Sequence, residues 1–158
     1  MRRGPLQVRR VAAQSAGMQT TFVIQTRGPG LYEFTGQVAE WLPGGDGLLT
    51  LMVRHTSASL LIQENADPDV QVDLRAYFDR LVPPSDRPEM AYLTHTMEGP
   101  DDMPAHIKAA MMPVSLSIPV MDGRMRLGTW QGIYLFEHRA RAHRRDVAAH
   151  LATDTGSP

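Results

Sequence analysis

The sequence contains no cysteine in its 158 residues. Without thiols, the chain has no disulfide scaffold, no catalytic thiol, no iron–sulfur cluster and no zinc site with cysteine ligands. It also has no apolar run near the roughly 18 residues that a membrane-spanning helix requires. We therefore expect no membrane association, and a reducing cytoplasm is the simplest setting for the protein.

The net charge is also small, and lysine is rare. The net charge is −1, so bulk charge gives no reason to expect nucleic acid as a partner. Lys108 is the single lysine, whereas arginine occurs 15 times. Any chemistry that needs a lysine amine must therefore use Lys108.

The first 17 residues carry four arginines and no acidic residue, and they lack the apolar core of a secretory signal. We interpret residues 1–17 as a disordered basic tail, or as the product of a start assigned too early, with Met18 as the true first residue. Residues 18–153 are then expected to form a single domain and residues 154–158 a second tail.

The apolar residues, 42% of the chain, are arranged mainly in strand patterns. Alternation predicts strands at residues 48–55 and 114–120, where every second side chain is apolar. Residues 133–137 are apolar on both faces, which predicts a central strand covered by a second sheet or a partner subunit. Residues 145–151 fit a strand or a helix equally well.

Two helices are predicted between strand pairs. Asp67 and Pro68 are typical of a helix start, because the aspartate can cap and proline suits the first turn. The second helix covers residues 103–112 and ends at Pro113. With about seven strands, this order predicts an α+β fold of packed, largely antiparallel β-sheets with two inserted helices.

Polar residues cluster where three of these elements begin or end. His55 closes an apolar strand face, so it is either a core-edge histidine with one hydrogen bond or part of a site. Thr56 and Ser57 follow it as turn residues or as hydroxyl donors to an anion.

The second cluster, residues 95–108, holds two histidines, three carboxylates and the only lysine. Helix capping needs only one of Asp101 and Asp102, which leaves the other unexplained. Histidines and carboxylates together are the ligands of hard or borderline divalent metals. The spacing from His95 to His106 matches no named zinc motif, so the metal prediction rests on residue type.

The third cluster joins residues 128–132 to Glu137, His138 and Arg139. Strand geometry places Glu137 and His138 on opposite faces, so only one of them can face a given site. Arg139 belongs either to a solvated turn or to a phosphate clamp, since an arginine fork matches phosphate oxygens.

These clusters, in this order, resemble the motifs of the YjbQ family, which is often labelled a secondary thiamine-phosphate synthase. The resemblance covers about residues 18–153 and is carried by residues 55–60, 64–68, 98–108, 128–132 and 137–139. It implies a YjbQ-like α+β fold and a homotrimer with its cleft near subunit contacts. One departure is Thr96, where the family often has aspartate; Glu98 is a candidate replacement.

The resemblance further implies weak thiamine-phosphate synthase activity, which joins a pyrimidine-methyl pyrophosphate to a thiazole phosphate and releases pyrophosphate. The residues assigned to catalysis are His55, Glu64, Asn65, Asp102, Thr129 and Gln131. Those assigned to a small phosphorylated substrate are Thr56, Ser57, Lys108 and Arg139. Those assigned to a divalent metal, Mg²⁺ or a transition metal such as Zn²⁺, are His95, His106 and His138.

Two other functions fit the same residues. One is a metal-dependent enzyme of unknown substrate, in which at least three of four histidines converge in one cleft. Those four histidines are His55, His95, His106 and His138. The other is a trimer that binds a metabolite without catalysis.

Overall fold

Two antiparallel sheets make up most of the computed structural model, which describes residues 17–153. The strands are β1 (Gly17–Gln25), β2 (Gly30–Glu33), β3 (Gly47–Val53), β4 (Ala58–Glu64), β5 (Ser115–Met121), β6 (Arg124–Met125), β7 (Gln131–Glu137) and β8 (Arg144–Thr153). The helices are α1 (Thr35–Trp41), α2 (Pro68–Leu81) and α3 (Asp102–Met111), with a 3₁₀ turn at Pro88–Met90. The five-stranded sheet has the order β1-β8-β3-β5-β6, and the three-stranded sheet has the order β2-β7-β4.

The predicted α+β class is confirmed, with eight strands and three α-helices within residues 17–153. The undecided segment at 145–151 is a strand, because β8 pairs with β1 on one side and β3 on the other. Gly17 is the first residue of β1, although it was assigned to the tail. The rest of both predicted tails, residues 1–16 and 154–158, lies outside the described residues.

One apolar cluster joins the two sheets. Its largest contributors are Leu49, Leu51, Leu60, Ile118, Ile133, Leu135 and Leu151, all nearly or fully buried. The alternation seen in residues 48–55 is thus a buried face, since Leu49, Leu51 and Val53 all belong to this core.

The central strand β7 is covered on both faces by its own chain. Ile133 and Leu135 enter the core between the sheets, and Phe136 meets Phe78 of α2 at a ring-centroid distance of 5.8 Å. The expectation of a second covering layer is confirmed. Because this chain supplies that layer, the apolar character of β7 gives no argument for a partner subunit.

Helix α2 begins as its sequence predicts. Asp67 accepts a hydrogen bond from the Asp69 N–H at 2.9 Å, and Pro68 occupies the first turn. Three large apolar side chains of this helix, Val72, Tyr77 and Leu81, are exposed. Within the described part of the chain, no helix is both long enough and apolar enough to cross a bilayer.

Pairing between β4 and β7 determines where the polar clusters lie. Ala58 at the start of β4 faces Glu137 at the end of β7, whereas Glu64 faces Gln131 at the other end. The turn before β4 and the segment after β7 therefore lie side by side. Helix α3 contacts β4, and the acidic start of α3 reaches the segment after β7 through the bond from Arg139 to Asp101.

Candidate functional site

Asp102 is the centre of a polar cluster at this end of the three-stranded sheet. It is the first residue of α3 and is only 2% exposed. Its Oδ2 lies 2.7 Å from His95 Nε2 and 3.4 Å from His106 Nε2, while Oδ1 accepts a hydrogen bond from Arg139. His106 reaches it because residues four apart share one face of a helix. We call His95, Asp102 and His106 the Asp102 cluster.

The surroundings of Asp102 keep it ionised. Burial favours the neutral acid, but the hydrogen bond from His95 and the charge of Arg139 outweigh burial and lower the pKa of Asp102. A buried carboxylate held as an anion and touched by two imidazoles is a group poised to bind a cation or a proton.

The neighbouring Asp101 binds Arg139 and does not cap the helix. Its Oδ2 accepts hydrogen bonds from Arg139 Nε at 2.9 Å and from the Ala140 N–H at 2.8 Å. Arg139 also donates from its third nitrogen to the Glu98 carbonyl at 3.2 Å. The chain's own oxygens thus engage all three guanidinium nitrogens, and the assignment of Arg139 as a phosphate contact stays a prediction.

The hydrogen bonds of His106 fix its tautomer. Nδ1 lies 3.1 Å from the Thr56 carbonyl oxygen, which can only accept, so Nδ1 carries the hydrogen. In the neutral ring Nε2 is then a bare lone pair, and it faces the Asp102 carboxylate oxygen at 3.4 Å. Two lone pairs at that distance repel each other, and a cation between them would relieve the repulsion.

The Asp102 cluster fits a divalent metal in its ligand types and partly in its geometry. One candidate ligand atom from each residue lies within 4.8 Å of the others. Two ligands bound at about 2.1 Å to a tetrahedral ion are about 3.4 Å apart, which is the separation of His106 Nε2 from Asp102 Oδ2. The 2.7 Å contact of His95 is a hydrogen bond, so His95 must withdraw from Asp102 to become a ligand.

His55 lines a groove of about 550 Å³ beside the same cluster, together with Thr56 and His106. Its Nε2 accepts a hydrogen bond from the Asp146 N–H at 2.9 Å, so the hydrogen of the neutral ring is on Nδ1. Burial and the charge of Arg145 lower the pKa of His55. His55 is therefore a neutral hydrogen-bond donor.

His138 does not join the Asp102 cluster in this chain, and this corrects the expected set of metal ligands. Its side chain turns away from Glu137 and is buried against the ring of Phe136, with Nε2 2.9 Å from Ser59 Oγ. It lines a different cavity, on the other side of α3. Asp102 takes its place beside His95 and His106.

Of the four histidines, two meet at Asp102 and a third shares a groove with one of them. His95 and His106 have ring centroids 5.8 Å apart, and His55 lines the groove with His106. The expected convergence of three in one cleft therefore holds only for a site that includes both the groove and the cluster.

Four of the residues assigned to catalysis lie at the opposite end of the sheet. Glu64, Asn65, Thr129 and Gln131 are about six residues along β4 and β7 from the Ala58–Glu137 pair, about 20 Å away. There Gln131 accepts a hydrogen bond from the Gly128 N–H at 2.7 Å, and Asn65 donates to Glu33 at 3.4 Å. Within one subunit they cannot act at Asp102.

A buried ion pair beside the cluster was not among the assigned site residues. Arg145 binds Glu137 through Nε at 2.7 Å and through a terminal nitrogen at 2.5 Å, and it donates to Ser57 Oγ at 3.0 Å. The Ser57 hydroxyl oxygen thus accepts a bond within the chain, and its assignment to a phosphate stays a prediction. The sequence feature that could have predicted this buried pair is Arg145, because it lies on the same face of β8 as the apolar Val147 and Leu151.

Comparison with protein-family models matches residues 19–154 to the family described as UPF0047 protein YjbQ-like. Among curated proteins, UPF0047 protein sll1880 from Synechocystis is 47% identical over 137 residues, which are 85% of this chain and 90% of that protein. UPF0047 protein YjbQ from Salmonella typhimurium is 42% identical over 84% of this chain and 96% of its own length.

Solved structures show the same fold. The conserved hypothetical protein TT1486 from Thermus thermophilus superposes with a TM-score of 0.73 at 33% identity, covering 84% of this chain and 98% of that one. The hypothetical protein APE1520 from Aeropyrum pernix gives a TM-score of 0.76 at 28% identity, covering 87% of this chain and 99% of that one.

Proposed function

The chain belongs to the UPF0047 YjbQ-like family, and we propose that it is an enzyme dependent on a divalent transition metal held by His95, Asp102 and His106. The tautomer of His106 carries this proposal. Its Nδ1–H bonds the Thr56 carbonyl, so its bare Nε2 faces the ionised Asp102 carboxylate. Imidazole and carboxylate together suit Zn²⁺, Mn²⁺ or Ni²⁺ better than Mg²⁺.

Neighbouring residues prepare these ligands. Arg139 fixes the carboxylate plane of Asp102 through Oδ1, and the Thr56 carbonyl orients the ring of His106. Such outer hydrogen bonds are a regular feature of metal sites. When bound, a divalent cation supplies Lewis-acid polarisation of a substrate oxygen.

The groove beside the cluster supports a small anionic substrate. Arg54 lines it and brings a positive charge, and the neutral ring of His55 supplies an N–H donor. Apolar side chains, Met52, Ala109, Ala110 and Val114, line its remaining wall. A phosphorylated or carboxylated molecule with an apolar body fits this pattern.

The narrower function, thiamine-phosphate synthesis, stays a prediction. A divalent cation and Arg54 would help pyrophosphate to depart, which favours it. Arg139 does not, because it is already bound to Asp101, and Lys108 does not, because it lines a different cavity. The homotrimer also stays a prediction, supported by the exposed Val72, Tyr77 and Leu81 on α2.

Elemental analysis and calorimetry of protein purified without a histidine tag test the metal. We expect one Zn²⁺ or Mn²⁺ per chain, lost in His106→Ala and kept in His150→Ala, which removes a histidine of β8 outside the cluster. A wild-type protein that binds neither ion, or an equal loss in both variants, would refute the proposal. Pyrophosphate release from the two thiamine precursors, measured on the loaded protein, tests the narrower function.

A further inference from the structure

A second cavity, of about 250 Å³, lies on the other side of α3 from His106. It is enclosed by the end of α2, the start of α3 and the segment that follows β7. Five apolar residues line it, Pro29, Val82, Pro84, Pro104 and Ala140. Its volume is below the roughly 300–1,000 Å³ of pockets for drug-sized ligands, so it suits a small metabolite.

His138 lines this cavity, and one of its two ring nitrogens is unpaired. The residue is 4% exposed, and its Nδ1 has no hydrogen-bond partner among the described residues. Burial and the charge of Lys108 lower the pKa of His138 to about 3, so the ring is neutral at ordinary pH. When the Ser59 hydroxyl donates to Nε2, the ring hydrogen is on Nδ1. A buried N–H without an acceptor is costly and rare in folded proteins.

Lys108 supplies a buried positive charge in the same cavity, and its partner is replaceable. The lysine side chain is 9% exposed, whereas Asp79, which binds Nζ at 2.6 Å, is 50% exposed. Asp79 Oδ2 also lies 3.8 Å from Arg75 Nε. Asp79 can therefore turn towards solvent and Arg75, while Lys108 must keep an anion beside it.

The other charged group facing the cavity is already neutralised. Asp101 binds Arg139 and the Ala140 N–H through Oδ2. The cavity is also separate from the Asp102 cluster, because His106 and Lys108 are two residues apart and do not share a helix face.

We propose that this cavity binds a small molecule with an anionic oxygen group on a short carbon chain. Its oxygens would replace Asp79 on Lys108 Nζ and accept the hydrogen of His138 Nδ1, and its carbon chain would lie against the proline-rich wall. Carboxylates and phosphate monoesters share this chemistry. The proposal does not depend on a bound metal.

Butyrate and propyl phosphate are suitable probes, titrated into the full chain in the presence of EDTA. Calorimetry gives the affinity, and ¹⁵N NMR of labelled histidine reports on His138. We expect at least one probe to bind with a Kd of about 1–10 mM and to shift the His138 Nδ1 signal. The tighter of the two identifies the headgroup.

Three variants make the test specific. Lys108→Met keeps the aliphatic stem and should weaken binding at least about tenfold. Asp79→Asn removes the competing carboxylate from an exposed position and should tighten binding. Arg124→Ala removes an equal charge on β6, far from the cavity, and should change nothing.

The proposal is overturned if neither anion binds, or if propylammonium binds in their place. It is equally overturned if Asp79→Asn weakens anion binding, because the aspartate would then belong to the site. His95→Ala, which disables the proposed metal site, should bind the anions as the wild type does. Failure of the metal proposal would therefore leave anion binding in this cavity unchanged, so the two proposals can be refuted independently.

Discussion

The two ends of the three-stranded sheet differ in how their polar residues are held. At the Ala58–Glu137 end, the buried carboxylates of Asp102 and Glu137 bind Arg139 and Arg145 respectively. At the Glu64–Gln131 end, Asn65 and Gln131 are exposed, and Asn65 donates to the exposed Glu33 at 3.4 Å. Residues from the sequence motifs lie at both ends. Among the described residues, only the Ala58–Glu137 end has buried charges, which are the groups that perturb pKa values.

The largest expected effect tests the buried pair at the first end. Arg145→Met leaves the Glu137 carboxylate buried without its cation, because Glu137 is fully buried. Removing one partner of such a pair costs about 3–5 kcal/mol of unfolding free energy, to be measured by urea denaturation.

The matched change at the other end is Gln131→Ala, which removes an exposed amide that accepts one backbone hydrogen bond. It should cost no more than about 1 kcal/mol. Equal losses from the two variants would mean that the ends do not differ in the way described.

The next effect concerns metal affinity. Arg139→Ala frees Asp102 Oδ1 and the Asp101 carboxylate, so the carboxylate ligand loses its fixed plane. By the usual effect of such outer partners, Zn²⁺ affinity should fall by about 10–100-fold, measured by competition with a chelating dye. Asn65→Ala should leave Zn²⁺ affinity unchanged, and a comparable loss there would contradict the separation of the two ends.

A third effect is a pH dependence centred on His138. Burial lowers its pKa from 6.5 to about 3. Between these pH values the ring is therefore protonated in the unfolded chain and neutral in the folded chain. Stability is therefore complete above pH 6.5 and falls as the pH drops towards 3, by up to about 1.4 kcal/mol per pH unit.

His55 adds to this slope, because its pKa is also lowered. His138→Asn, which can still hydrogen-bond Ser59, should flatten the profile between pH 6.5 and 4.5, measured by denaturation at each pH. If the slope of His138→Asn matches that of the wild type, the ring does not remain neutral in the fold.

The smallest effect is expected from Asn65→Ala, since its side chain makes one long contact at an exposed position. Its unfolding free energy should stay within about 0.5 kcal/mol of the wild type. A loss of activity without a loss of stability or metal would indicate that this end meets the Asp102 cluster of a neighbouring subunit, as the resemblance implies.

Much of the fold follows from local patterns. Strands β3 and β5 show clean alternation, and α2 has both a cap and a first-turn proline. Strand β8 is ambiguous in sequence because three alanines weaken its alternating pattern and Arg145 places a charge on its buried face. That charge is tolerated only because Glu137 lies opposite it, and no local pattern contains that information.

The site was predictable only in part. Asp102 and His106 are four residues apart on a helix, so their meeting follows from helix geometry. His95 reaches Asp102 through a loop, and His138 is turned away by the register of β7. The division of the motifs between two sheet ends depends on antiparallel pairing of β4 with β7, which joins residues far apart in the chain.

The solitary lysine offers a chemical reporter. Apart from the α-amino group, Lys108 Nζ is the only primary amine in the sequence, and it lies in the cavity against Asp79. Acylation by an amine-directed reagent can therefore modify the folded interior at one position only. The rate at which the protein gains the mass of an acyl group at Lys108 then measures how often Nζ becomes accessible, without interference from other lysines. An anion bound to Nζ should slow this labelling in proportion to its occupancy.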